Sequence, residues 1–200
     1  MRVALPVSRG VVGAVGAAAW ERLVDPPGQR LELLFGEVVM NPAPTPRHQM
    51  LGWRLAAHLD RQLPGGLVAV TDVEWRIPVD PGRPTMLTHA PRPDIAVVRE
   101  EQVRPGVPAL TEVPVLAVEL LSRSDSIDRR SAKAEVYLQA GLRWYATMTT
   151  GEQLELRLYQ ADSGQGWIER ARVTPNSPVD LDDPIPLQLD LSTLQNRQRP

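Results

Sequence analysis

The chain has 200 residues, 42% hydrophobic and 23% charged, enough for one domain with a full core. It contains no cysteine, which excludes a disulfide framework and any cysteine-based zinc site or nucleophile and agrees with a reducing, cytoplasmic setting. The formal net charge of -2 argues against a broad basic surface, so any contact with nucleic acid has to use a local arginine patch.

Residues 11–19 are small and apolar without Leu, Ile or Phe, and run straight into Trp20-Glu21-Arg22. This pattern predicts a ragged N-terminus and a short helix over 14–24 rather than a secretion signal or a membrane span. Asp25-Pro26-Pro27-Gly28 ends the helix. Residues 30–40 read as a hairpin or bent strand around Gly36. After the stiff Asn41–Pro46 loop, Leu51, Leu55, Leu59 and Leu63 recur every fourth residue, predicting a helix over 47–63 stopped by Pro64-Gly65-Gly66. A strand over 67–77, a Pro/Gly-rich loop over 78–91 and a short strand opened by Asp94 follow. The near-continuous apolar run at 114–121 predicts a strand covered on both faces. A turn leads to a helix over 129–140 with Gly141 as its C-cap, then to strands at 143–149, 154–160 and 166–173. The order predicts a single-domain α/β fold, a mixed β-sheet flanked by helices, with residues 1–13 and 174–200 peripheral.

Three residues carry the candidate chemistry. Lys133 is the chain's only lysine, against 21 arginines. Lys is a compact charge with three rotatable donors and Arg a wide planar fork, so the lone Lys marks a place where an amine is required, or an accident of composition. On its helix it falls in line with Val136, Tyr137 and Ala140, on the stripe that faces the sheet, although a snorkelling lysine would fit the same spacing. Glu119 shares a strand face with Val115, Ala117 and Leu121 and has no polar side to turn to. A carboxylate there needs a cation or donors, either at a site or in a buried pair with Arg. Asp94 stands at the mouth of another strand. Two carboxylates and an ammonium together suit Mg2+ or Mn2+ and the hydrolysis of a phosphodiester.

The runs Arg92-Pro93-Asp94-Ile95-Ala96-Val97-Val98, Val118-Glu119-Leu120-Leu121-Ser122, Asp128–Tyr137 and Ala140-Gly141-Leu142 resemble the Uma-two family of the PD-(D/E)xK nuclease superfamily. So do Leu31–Pro42 and Pro44-Thr45-Pro46-Arg47-His48. The resemblance covers residues 14–160 and implies a restriction-endonuclease-like fold with Asp94 and Glu119 as ligands of Mg2+ or Mn2+. It implies Lys133 as the catalytic lysine, moved from two residues after the Glu onto the next helix. Glu37 and His48 match two further polar positions, a third carboxylate and a site histidine. As plain structure, Glu37 would be a hairpin charge and His48 a capping residue. Arg123, Arg129 and Arg130 are candidate phosphate contacts, or the salt-bridged start of a helix. His58 is read as a helix-face residue and His89 as a loop residue. Phe35, Ala146 and Thr149 depart from the family pattern, where Asp, Trp and Asp stand.

The functional expectation is a Mg2+-dependent DNA endonuclease, with DNA as partner and a homodimer as a further possibility. The alternative is a silent nuclease fold acting as a DNA- or protein-binding module. A third reading is a structural dimer joined through Trp144, Tyr145 and the late strands.

Overall fold

The computed structural model describes residues 2–3, 13–122, 127–162 and 166–195, with side chains from 13–122, 130–162 and 166–195. Its centre is a six-stranded sheet in the order Gly166–Val173, Leu156–Asp162, Trp144–Thr149, Leu116–Leu121, Ile95–Arg99, Leu67–Thr71. Only Leu116–Leu121 and Trp144–Thr149 run parallel; every other neighbour is antiparallel. A parallel pair needs a long crossover, and the helix Ile127–Gln139 supplies it. The mixed α/β sheet read from the sequence is therefore the fold. Among the described residues no helix is long and apolar enough to cross a membrane.

The Glu119 strand, Leu116–Leu121, alternates between two cores as its spacing predicts. Leu116, Val118 and Leu120 join Ile95 and Val97 against Leu51, Leu55 and Leu59 of the long helix Pro46–Asp60. Each fully buried Leu contributes about 1.5–3 kcal/mol. Thr45 caps that helix by accepting the His48 N–H at 3.3 Å, with Pro46 in its first turn, where a missing N–H costs nothing. On the other face, Ala96, Val98, Ala117 and Tyr145 meet Tyr137 of the crossover helix and Trp75. The Tyr137 ring stacks on Trp75 with centroids 5.9 Å apart. Gly141 ends the crossover helix at φ 83°, in the left-handed region glycine adopts without penalty.

Gly52, inside the long helix, needs no such freedom. A Cβ there would lie 3.5 Å from Leu120 Cδ2, an ordinary contact. Gly52→Ala is expected to stabilise the protein by about 0.5–1 kcal/mol, read as a higher urea midpoint with an unchanged m-value.

Five local expectations are corrected. The helix over 14–24 is only Ala17–Trp20, because Val15–Gly16 pairs with the strand Met86–His89 instead. That strand also breaks the loop expected over 78–91, and it takes His89 into a strand rather than a loop. The strand over 67–77 divides at Thr71. The tail is not peripheral. Val179–Leu181 and Leu187–Leu189 form a hairpin, and Ile185, Leu187, Leu189, Leu191 and Leu194 are buried in the same core as Leu51 and Leu55. The reason is readable in Leu187-Gln188-Leu189-Asp190-Leu191, a period-two pattern that offers one apolar face to the sheet. His58 fastens this segment, its Nε2 lying 2.8 Å from the Gln188 carbonyl.

The hairpin Gln29–Leu34 and Glu37–Pro42 turns through Phe35 and Gly36, both at positive φ (53° and 72°). Two such residues make the tight turn that suits the twist of a hairpin. Gly36 is obligatory, since a Cβ would come within 2.0 Å of the Gly13 backbone. Leu31, Leu33 and Val38 point into a third, smaller core, which turns Arg30, Glu32 and Asn41 the other way.

Candidate active site

Strand register brings the carboxylates together. Ile95 is the partner of Val118, so Asp94, one residue before Ile95, stands level with Glu119. Asp94 Oδ2 accepts the Leu120 N–H at 2.7 Å, extending the ladder by one side-chain bond. The same oxygen lies 3.4 Å from His48 Nε2, which is also 3.2 Å from the Leu120 carbonyl. His48 therefore ties the first turn of the long helix to the strand end that carries both acids, besides giving its backbone N–H to Thr45.

Lys133 reaches this point from the crossover helix. Its Nζ lies 2.8 Å from Glu119 Oε1, 2.9 Å from Glu32 Oε1 and 2.9 Å from the Arg92 carbonyl. An ammonium has three N–H donors, and here three acceptors meet it. A guanidinium could not place its fork on three acceptors arranged about one point, which is a physical reason for the chain's single lysine. Lys133 is only 7% exposed and Glu119 9%. Glu119 Oε1 also accepts the Tyr137 hydroxyl at 2.5 Å.

Glu32 is the residue the sequence reading missed. It is 4% exposed and accepts the Arg92 N–H at 2.6 Å and the Asn41 side-chain amide as well as Lys133. The signal was present: Leu31-Glu32-Leu33-Leu34 sets a Glu in an apolar strand, just as the Glu119 strand does. Glu37 does not reach the cluster. It is exposed at the tip of the hairpin, paired with Leu34, two ladder steps beyond the Glu32–Val39 pair on the same face.

The charges explain the titration. Burial pushes Glu119 up to about 8, with Asp94 and Glu32 adding to the rise and Lys133 opposing it. One ammonium cannot balance three carboxylates, so the neutral form of Glu119 is favoured well above the usual carboxylate range. Burial alone would lower Lys133, but Glu119, Glu32 and Asp94 outweigh it and hold the amine above its ordinary value. Lys133 thus stays charged across the physiological range and serves as a fixed donor, not as a base. Burial, then the Glu119 charge, raises the Tyr137 hydroxyl well above the usual phenol value, so it too donates.

Glu32, His48, Asp94, Glu119 and Lys133 border a cavity of about 330 Å3. Among the described residues, three buried side-chain atoms find no hydrogen-bond partner: Asn41 Oδ1, Arg92 Nε and Arg130 Nε. All three residues border this same cavity. Buried polar groups are nearly always satisfied, so their clustering singles out this place as one built for something other than packing. Arg130 donates to the Ser122 carbonyl at 2.9 Å. Arg123 lies outside the described residues, and only the backbone of Arg129 is described.

The donor set suits a hard divalent cation in kind: carboxylate oxygens and the unsatisfied Asn41 amide oxygen. Among the described residues no three His, Asp or Glu side chains already stand at ligand distance from one point. That is compatible with Mg2+, which commonly takes one or two carboxylates and completes its shell with water and substrate oxygens.

The family model Uma2, "Putative restriction endonuclease", matches residues 17–193. The chain belongs to the Uma2 family. In this Uma2 protein the match runs past residue 160, where the recognisable motifs end, and takes in the C-terminal hairpin that closes the core. A crystal structure described as a putative nuclease belonging to DUF820 from Anabaena variabilis ATCC 29413 shares the fold, with a TM-score of 0.65 at 16% identity, covering 90% of this chain and 97% of that one. No curated protein matches the sequence.

The three departures from the Uma2 pattern have local accounts. Phe35 takes the left-handed turn position that Asp tolerates more easily, and its ring meets His89 edge-on at 5.0 Å. Thr149 closes the turn after its strand, its hydroxyl donating to the Gln153 carbonyl and accepting the Glu155 N–H. Ala146 is buried in the core beneath the long helix. Trp144 and Tyr145 are buried in the two cores, which withdraws them from any exposed dimer interface.

Proposed function

We propose that this Uma2 protein hydrolyses phosphodiester bonds of DNA with the help of Mg2+ or Mn2+. The observation that supports the reading best is the meeting of Asp94, Glu119 and Lys133 at one cavity, from two strands and a helix far apart in sequence. Asp94 and Glu119 would hold the cation. A bound divalent ion supplies positive charge to a phosphoryl oxygen and lowers the pKa of a bound water. Lys133, anchored by Glu32, Glu119 and the Arg92 carbonyl, offers a fixed positive charge beside the place where charge develops on the phosphate. His48 holds the Asp94 carboxylate against the strand end. Arg92 and Arg130 face the phosphate as positively charged rims of the cavity.

The test is nicking of supercoiled plasmid with Mn2+ or Mg2+, with a chelator control and Asp94→Asn. Wild-type protein is expected to nick only with metal, and Asp94→Asn to fall to background. Equal rates for the two proteins would rule the reading out. One observation favours the alternative, a silent DNA- or protein-binding module: Lys133 already has its three acceptors, a self-sufficient structural cluster. That alternative predicts no metal-dependent nicking by wild type.

A further inference from the structure

We propose that Trp53 is a stacking platform for a nucleobase at the mouth of the cavity, and that the strand taken there is single-stranded or locally unpaired DNA. The inference rests on the phosphodiester reading and narrows its substrate.

Trp53 is 68% exposed, while Trp20, Trp75 and Trp144 are buried and Trp167 is tied to the Ala134 carbonyl at 2.9 Å. An indole left this far in water is unusual unless something covers it in use. Its position says what. Trp53 follows Gly52, which packs on Leu120, the residue after Glu119, and Trp53 itself borders the cavity that holds Asp94, Glu119 and Lys133. The indole therefore stands at the rim of the cavity, one residue along the helix from the contact with the strand that carries Glu119.

The cations at the cavity favour the same substrate. Arg30 pairs with Asp72, Arg92 with Asp25, and Arg130 with the Ser122 carbonyl. With a formal net charge of -2 and, among the described residues, Arg30 and Arg92 each paired with a carboxylate, the protein is sparingly supplied for tracking the two backbones of a duplex. Proteins that bind single strands draw instead on base–aromatic stacking, which a paired and stacked base cannot offer. A cavity of about 330 Å3 is at the small end of ligand sites, suited to a nucleotide-sized piece of one strand.

The test compares wild type, Trp53→Ala, Trp53→Phe and Asp94→Asn. Binding of a labelled 12-nucleotide single strand and of the matching duplex is measured by anisotropy in chelator, and cleavage of both with Mn2+. The expected result is preference for the single strand in both assays. Trp53→Ala should weaken single-strand binding roughly 5- to 100-fold, Trp53→Phe should restore most of it, and duplex binding should not change. The proposal is overturned if Trp53→Ala binds the single strand within twofold of wild type, or if the duplex is bound and cleaved as well as the single strand. A change in Trp53→Ala confined to self-association would make the indole a protomer contact and also overturn it. The two readings fail separately. Trp53-dependent binding with no cleavage by wild type sinks the hydrolytic reading alone, and Asp94-dependent cleavage indifferent to Trp53 sinks the platform alone.

Discussion

Lys133→Met is expected to destabilise the fold by roughly 3–5 kcal/mol and to abolish any metal-dependent nicking. Met fills much of the same space, so the loss is electrostatic rather than a cavity. Glu32 and Glu119, both within 3 Å of the amine, would face each other without a cation between them. At least one must then take up a proton, so the variant should be least stable at alkaline pH and recover partly as the pH falls. Urea unfolding of both proteins at pH 6 and pH 9 measures this. A loss below 1 kcal/mol at both values would mean that the cluster is not a unit. Lys133→Arg keeps the charge but forces a larger, planar group into a site that is 7% exposed. It is expected to cost about 1–3 kcal/mol through overpacking and to nick poorly. Full activity in that variant would show that a positive charge is enough and that the amine itself has no special role.

Stability of the metal-free protein is expected to fall as the pH rises through the range where Glu119 titrates. Its folded-state pKa, about 8, lies above the 4.5 of an unperturbed Glu. The folded state therefore holds a proton that the unfolded chain gives up, so this contribution is complete below about pH 4.5 and lost as the pH climbs through 8. Between pH 7 and pH 9 the loss should be on the order of 1–2 kcal/mol. His89 works in the opposite sense at lower pH. Burial lowers it to about 4, so its stabilising contribution is present above about 6.5 and is lost as the pH falls through 4. The window above pH 7 thus isolates Glu119. Urea titrations in chelator at pH 7 and pH 9 give the slope, and Glu119→Gln should flatten it. An unchanged slope in that variant would assign the proton to another group.

How much of this was legible beforehand differs residue by residue. The apolar run around Glu119, the sheet-facing phase of Lys133 and the glycine stop at 141 are local patterns, and each found its expected place. Glu32 carries the same signal as Glu119, an acid in an apolar strand, whereas the family pattern points to Glu37 at the polar end of the hairpin. The face that Glu32 turns toward Lys133 is decided by a small core of Leu31, Leu33 and Val38 on the opposite side, packed on Val15 and Leu87. The tail is a similar case. Its prolines and aspartates look like surface, yet every second residue from Leu187 to Leu191 is a leucine, and the core beneath the long helix has room for them.

By itself the sequence determined the longer helices and the central strands, the faces of those strands and the anomaly of one lysine on an apolar stripe, because periods of 2 and 3.6 residues are set by the local backbone. Only the tertiary structure decided that Glu32, Asp94, Glu119 and Lys133 share one cavity and that Glu37 stays outside it. That choice depends on strand register and on which faces pack together, and both are settled by contacts between residues tens of positions apart, which no local spacing encodes.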